Sequence, residues 1–411
     1  MCVFLMMQNV PVLEMDIDKH IYKILEPDLM PYKLRSVIKE IDWSGDFSED
    51  EIKEKHNIAF KNQVAITQYL SQRMLGLNRE NAKKILNAFH FSQSQDDITR
   101  AKNVVACKAV SVIDDYWICE DLDKISWDQI NIRNTSLNDI VASIALSGSS
   151  LAITGIPHTP EITAQGVYAK AWIREGEDLW LHKKSTNNGN ESDIEVSVST
   201  ILDCFNVPHV KYIKSNFENN ETCKCLNMCS DDLSILPAED FYFYCNRSEK
   251  DFMTEALKID AENIYKLCVV DYLISNSDRH MQNWGFYVNN SNGNIVCCHP
   301  AYDHNNAFDE CDMKSKHGGD SLILVGRTKK EAAEYAINKC DFHCVKPVEK
   351  EMFLTTAMYE SFMNRACELG IYEKKEKSFL KKLVGKEDEY VPKKVGIDDT
   401  NAYYEKLCKK K

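Results

Sequence analysis

Asn276-Ser277-Asp278-Arg279-His280-Met281-Gln282-Asn283-Trp284-Gly285 is the stretch on which the reading of this chain turns. It follows a long segment, Asp251 to Ser275, in which Ile264, Leu267, Cys268, Leu273 and Ile274 recur at three- and four-residue steps. That is the period of a buried helix. It precedes two short apolar runs, Gly285 to Val288 and Ile295 to Cys298, joined by the Asn/Gly turn Asn289 to Asn294, which predicts two strands. Tyr302-Asp303-His304-Asn305 comes next. Helix, polar loop, strand pair and a further Asp is the layout of a phosphoryl-transfer site. In protein kinases the catalytic-loop Asp precedes a metal-binding Asn by five positions. Asp278 precedes Asn283 by five, and Asp303 sits where a kinase places its second metal-binding acid.

The residue types suit that chemistry. Mg²⁺ prefers hard oxygen ligands in near-octahedral geometry, so the Asn283 amide oxygen and the Asp303 carboxylate are candidate metal ligands. Asp278 can orient an acceptor hydroxyl and take its proton. Arg279 can stabilise local negative charge or lock the loop. His280 is read as a residue that holds the backbone by hydrogen bonds.

Working outward, a kinase needs a lysine for the nucleotide phosphates and an acid to hold it. Leu179-Trp180-Leu181-His182-Lys183 reads as a strand, and period two puts Leu179, Leu181 and Lys183 on one face. Lys183 is the candidate and Lys184, on the other face, its alternative. The preceding run Val167 to Arg174, joined to Leu179 to Lys184 by Glu175-Gly176-Glu177-Asp178, predicts a β-hairpin. Asp193 to Phe205 reads as the next helix, with Ile194, Val198, Ile201, Leu202 and Phe205 on one side. The acid is expected at Glu191 or Glu195, which are four apart on one helical face. No G-x-G-x-x-G is present. The phosphate-covering loop is expected in His158 to Lys170, which holds Gly166 ahead of the cationic strand Lys170-Ala171-Trp172; Ser147-Gly148-Ser149-Ser150 is the competing stretch.

The run Asn-x-Asp-Arg-His-x-x-Asn-Trp-Gly, followed by Tyr-Asp, resembles the HipA-like serine/threonine kinases of bacteria. These are similar to the toxin kinase of HipA–HipB toxin–antitoxin pairs. Thr159-Pro160-Glu161-Ile162-Thr163 to Gly166, Lys170-Ala171-Trp172 and Leu179 to Lys183 also look like a branch of that family. The resemblance covers roughly residues 145–345. It implies an α+β, bilobal protein-kinase-like fold with ATP and Mg²⁺ as cofactors. By position, Asp278 would be the catalytic base, Asn283 and Asp303 the Mg²⁺ ligands, and Lys183 the phosphate-binding lysine. It further implies a protein substrate with a Ser or Thr acceptor, a toxin or stress-regulator role and an antitoxin-like protein partner. Autophosphorylation of a phosphate-loop serine can switch such kinases off, and Ser147, Ser149 and Ser150 are candidates by proximity. The chain departs from protein kinases in lacking Asp-Phe-Gly and in placing its His after the catalytic Asp.

The segments expected are an N-terminal accessory domain (1–140), a β-rich lobe (141–235) and a helical lobe with the catalytic loop (236–411). Gln63 to Phe91 carries helical spacing in two pieces around Leu77 and Asn78 and reads as two helices packed on their own unit, with a DNA-binding helix-turn-helix as the rival. Met1 to Val12 is apolar without an early cation, and reads as a buried strand rather than a signal peptide. Residues 215–232 read as a polar surface loop.

Composition sets the frame. The chain has 411 residues, with 50 Lys plus Arg against 63 Asp plus Glu, a net charge of −13. That argues against non-specific nucleic-acid binding, which needs a basic surface, and leaves room for a local cationic spot around Lys170 and Lys183. Sixteen scattered cysteines in so long a chain fit a reducing cytoplasm better than a disulfide scaffold. Cys223-x-Cys225-x-x-x-Cys229 lacks a second ligand pair and reads as a reduced, partly exposed loop; Cys297-Cys298-His299 reads as a core strand. A small-molecule or lipid-headgroup kinase, and a nucleotide-binding pseudokinase acting by interaction, are the rival functions.

Overall fold

The computed structural model describes residues 2–16, 18–135, 137–151, 153, 159–187, 189–375, 389–398 and 400. It is a mixed α/β chain of helices and several small antiparallel sheets. The chain forms two compact units from interleaved segments. The first holds the described residues up to Gly189, then Ser215–Phe252 and Phe286–Ile295; the second holds Asn190–Lys214, Met253–Gly285 and the described residues from Val296 on. Neither unit coincides with one of the segments 1–140, 141–235 or 236–411.

In the first unit, the apolar start forms a strand as expected. Cys2–Met7 pairs antiparallel with Val10–Asp16 across a turn at Gln8 and Asn9, and with Tyr116–Cys119 on its other side. Ile21–Ile24 completes the four-stranded sheet. Helix Glu49–Gln72 packs against helix Asp97–Ala106. Ser48 and Glu51 close a reciprocal capping box at the start of the former, which satisfies backbone N–H groups that a helix end leaves open. Helix Ala82–Ala88 follows the turn at Leu77 and Asn78, and Ile66, Leu70, Met74, Ile85, Leu86 and Phe89 are all buried in one core. The helical spacing thus serves packing, with both helices committed to that core. The same core includes Val141, Leu146, Ile162 and Ala171, so it runs across residue 140 without a break. Val141 to Leu146 itself is part of helix Asp139–Ser147, which ends at Gly148 in the left-handed conformation.

The expected hairpin is present: Lys170–Glu175 pairs with Asp178–Lys183 around Gly176, whose φ of 65° suits the tight turn. Here residues 215–232 correct the sequence reading. Up to Leu226 they are not a surface loop but strands Ile213–Phe217 and Asn220–Leu226, turned at Glu218 and completing the sheet beside Asp178–Lys183, and residues 227–232 run on as a loop. Cys223 and Cys225 recur at period two and are buried, so they are sheet residues and not part of an exposed loop. Cys229 is buried as well, which pushes its thiol up to about 12. Asn and Glu at the turn hid this alternation.

In the second unit, helix Glu191–Leu202 buries Ile194, Val198, Ile201 and Leu202. Phe205 meets Phe342 and Phe362 in an aromatic cluster, and Phe362 meets Phe353. The apolar segment Phe252–Leu273 is helical on either side of a break at Asp260. Asp260 caps the second stretch by accepting from the Asn263 N–H, and its other oxygen accepts from the Cys298 N–H. No helix of the described residues is long and apolar enough to cross a membrane.

Candidate functional site

The second unit brings Asp278, Arg279, Asn283 and Asp303 into one hydrogen-bonded assembly. Its centre is Arg279, 1 % exposed. The guanidinium Nε donates to both Asp271 oxygens at 3.1 and 3.2 Å, where the preceding helix ends. Nη1 donates to the carbonyls of Asn283 (2.8 Å) and Tyr302 (2.7 Å), and Nη2 to His304 Nδ1 (2.9 Å). One planar cation therefore ties the end of the polar loop to the residues on both sides of Asp303. This is the fork geometry that lysine lacks. Of the two roles open for Arg279, its burial favours the lock.

Asp303 itself has φ of 56°, a left-handed conformation that an Asp tolerates but seldom adopts. It is held from before by Tyr302 on Arg279 and from after by Glu195, whose Oε2 accepts from the His304 N–H at 2.9 Å. Glu195 is fully buried and Glu191 is half-buried at the start of the same helix. The structure thus distinguishes the two glutamates and gives Glu195 a duty at the Asp303 turn that spacing did not reveal.

Asn283 is buried, and its amide Nδ2 donates to the Asp278 carbonyl at 2.9 Å. The donor end being spent inward, Oδ1 is the end left for a cation. The Asp278 carboxylate is 43 % exposed and accepts from Asn306 Nδ2 at 3.0 Å, while its backbone N–H donates to Asn276 Oδ1. It is therefore aimed by one hydrogen bond, with His280 Nε2 3.8 Å from its Oδ1, and keeps an exposed part for a ligand. His280 Nδ1 accepts from the Gln282 N–H, as a backbone-holding residue should. His299 is buried, and desolvation, with Arg279 nearby, brings it down to about 4. It is neutral at pH 7.

The first unit brings Lys183, Lys170 and Gly166 together. Lys170 and Lys183 stand directly opposite each other in the antiparallel pair, so their side chains leave the same face. Gly166 has φ of 100°, and a Cβ placed there would run into Lys170 Nζ. Lys183 is buried and Lys170 half-buried. On the opposite face His182 Nε2 meets Glu175 and Glu175 meets Lys224. The expected phosphate loop starts at His158, which lies outside the described residues; Pro160–Ile162 is a buried single turn of 3₁₀ helix, and Gln165 to Val167 are exposed. Ser147, at the end of its helix, donates to Glu218 at 2.9 Å, so the rival stretch begins as a helix terminus.

The Asp278 loop and Asp303 offer oxygen donors of the kind Mg²⁺ takes: one amide oxygen and one carboxylate, with water and phosphate completing the shell. Among the described residues no three His, Cys, Asp or Glu side chains group as metal ligands. The residues the sequence did not single out are Asp271, Asn276, Asn306 and Arg79. A signal existed for Asp271, a lone acid in the apolar run Cys268 to Ile274.

No family model matches the chain, and no curated protein matches it. Among solved structures it is similar to the Helicobacter pylori proinflammatory kinase CtkA, at 11 % identity over 49 % of this chain and 89 % of that one, with a TM-score of 0.31. It is also similar to a chain from the Shewanella oneidensis MR-1 toxin–antitoxin complex of HipA, HipB and operator DNA, at 9 % identity over 90 % and 97 %, with a TM-score of 0.47.

Proposed function

We propose that the chain is a Mg²⁺-dependent, HipA-like protein kinase of bilobal α+β fold that transfers the ATP γ-phosphoryl group to Ser or Thr hydroxyls of a protein. The observation that carries this reading is the Arg279 lock. It fixes an exposed carboxylate (Asp278), a buried amide whose nitrogen is engaged by the loop (Asn283) and an Asp in the left-handed conformation (Asp303) in one assembly. Phosphoryl transfer asks the protein chiefly for positioning and charge neutralisation, which such a rigid set supplies.

In this mechanism Asp278, aimed by Asn306, accepts the hydrogen bond of the acceptor hydroxyl and takes its proton as the phosphoryl group arrives. Asn283 and Asp303 would hold Mg²⁺, which would supply charge neutralisation at the nucleotide phosphates. Lys183 and Lys170 bind phosphate oxygens, with Gly166 allowing the backbone to approach. Arg279 and Glu195 position and do not touch substrate. An antitoxin-like partner and a toxin or stress role are proposed on the sequence resemblance alone.

The test is incubation with γ-labelled ATP and Mg²⁺, followed by phosphoamino-acid analysis. Label in phosphoserine or phosphothreonine with wild type, and none with Asp278→Asn, supports the reading. Equal label in both sinks Asp278 as the base. Label found only in a small-molecule acceptor moves the activity to a small-molecule kinase, and no turnover with any acceptor favours the pseudokinase.

A further inference from the structure

Five carbonyl oxygens of the loop that carries Gly166 accept from a single segment far earlier in the chain, within residues 72–80, between helices Glu49–Gln72 and Ala82–Ala88. Arg79, 2 % exposed, donates through Nη1 to the carbonyls of Glu161 (2.9 Å) and Ala164 (3.2 Å) and through Nη2 to that of Lys170. The Leu75 N–H donates to the Ile162 carbonyl at 2.7 Å and the Glu80 N–H to the Val167 carbonyl at 2.8 Å. In the other direction, the Gln165 side chain donates to the carbonyls of Gln72 and Met74 at 3.1 and 3.0 Å. Burial opposes the Arg79 charge and brings its pKa down to about 10, and the nearby buried Glu161 carboxylate offsets part of that cost; Glu161 accepts from the Trp172 N–H at 3.0 Å and from the Thr159 hydroxyl. All of these residues belong to the first unit.

The pattern has a chemical sense. A loop that receives phosphate must keep its carbonyl oxygens away from the anion, because their dipoles repel it, and present N–H groups and cations instead. Five carbonyls between Glu161 and Lys170 are drawn to segment 72–80. Lys170, whose amine lies against Gly166, is anchored by its own backbone to Arg79.

We propose that segment 72–80 is the fixed back wall of the Gly166–Lys170 loop, and that Arg79 is a positioning residue for the anion held there. The anchoring stands on the contacts above; the nature of the anion, a nucleotide phosphate, rests on the function proposed in the preceding section. The N-terminal region is then part of the phosphate site rather than an accessory to it.

The experiment is amide hydrogen exchange and steady-state kinetics with MgATP on full-length Arg79→Lys. An ammonium keeps the charge but cannot span three carbonyls. Exchange at the Leu75 and Glu80 amides, which donate into the loop, should accelerate about tenfold or more as the anchor loosens. The KM for ATP should rise by a similar factor while kcat stays within about twofold. Unchanged exchange at Leu75 and Glu80 overturns the anchoring. Faster exchange with an unchanged KM leaves the anchoring standing and overturns the phosphate role of this loop. If Arg79→Lys does not fold, Gln165→Ala, which removes the donor to the Gln72 and Met74 carbonyls, should accelerate exchange at Leu75 and Glu80 about threefold. No acceleration there overturns the proposal as well.

Discussion

Around Asp278 the fixing groups come from nearby chain, apart from Glu195, which holds the Asp303 turn from 109 residues before His304, whereas around Gly166 they come from far away. Arg279 reaches the Asn283 carbonyl four residues on and the Tyr302 carbonyl 23 residues on. Arg79 reaches the Lys170 carbonyl across 91 residues. Both arginines are buried, and both spend their guanidinium on backbone carbonyls. They differ in counter-charge. Arg279 grips the Asp271 carboxylate directly at 3.1 Å, while Arg79 is only partly offset by Glu161, whose own oxygens are engaged with the Trp172 N–H and the Thr159 hydroxyl. A local constellation can be read as a motif. A loop organised by a distant segment cannot.

The largest expected effect is on the local half. Arg279→Met leaves the Asp271 carboxylate buried without its cation, and breaking such a pair costs about 3–5 kcal/mol. Chemical denaturation should show that loss, and a loss below about 1 kcal/mol would mean that the lock is not what holds the loop.

Acid challenges the same half in another way. His299 has a folded pKa of about 4 against 6.5 for the free side chain, so between those values the unfolded chain binds the proton and the folded one does not. This contribution to stability is complete above about pH 6.5, falls as the pH drops and levels off below about pH 4, roughly 3 kcal/mol in all. His299→Gln should flatten that acid limb in denaturation curves taken from pH 7 to pH 4; an unaltered limb would assign the acid sensitivity to His182 and His209, which burial also shifts down.

Next come the proposed metal ligands. Asn283→Ala and Asp303→Asn should each lower turnover at saturating ATP by on the order of a hundredfold and raise the Mg²⁺ needed for half-maximal rate. A Mg²⁺ dependence that does not move would place the metal elsewhere.

Gly166→Ala is the mildest and probes the distant half. Its left-handed φ and the Lys170 amine both oppose a Cβ, a strain of about 1–2 kcal/mol that should raise the ATP KM several-fold with kcat nearly constant. A larger effect on kcat than on KM would connect this loop to the chemical step instead.

What was legible in the sequence follows the same division. The hairpin Lys170–Glu175 to Asp178–Lys183 could be read because Gly176 punctuates two apolar runs, and helix Glu191–Leu202 because its apolar spacing is clean. The opposition of Lys170 and Lys183 follows from that hairpin's register. Strand Asn220–Leu226 was missed because polar residues flank its alternating cysteines. Helix Asp139–Ser147 was missed because a short, uniformly apolar run has no period to read, and its Asn138 cap and Gly148 stop are the only marks. Glu191 and Glu195 share a face, and only packing separates them. Nothing local to Arg79 marks it, since its partners are backbone carbonyls, which carry no residue identity.

The most direct measurement is the single-turnover rate of γ-phosphoryl transfer from ATP with Mg²⁺, wild type against Asp278→Asn, with nucleotide affinity measured on the same samples. A fall of about 10²–10⁴-fold in the Asp278→Asn rate, with nucleotide affinity within about twofold, is the expected result for a general base that touches only the acceptor. Equal rates in the two proteins would contradict a phosphotransfer site built on Asp278.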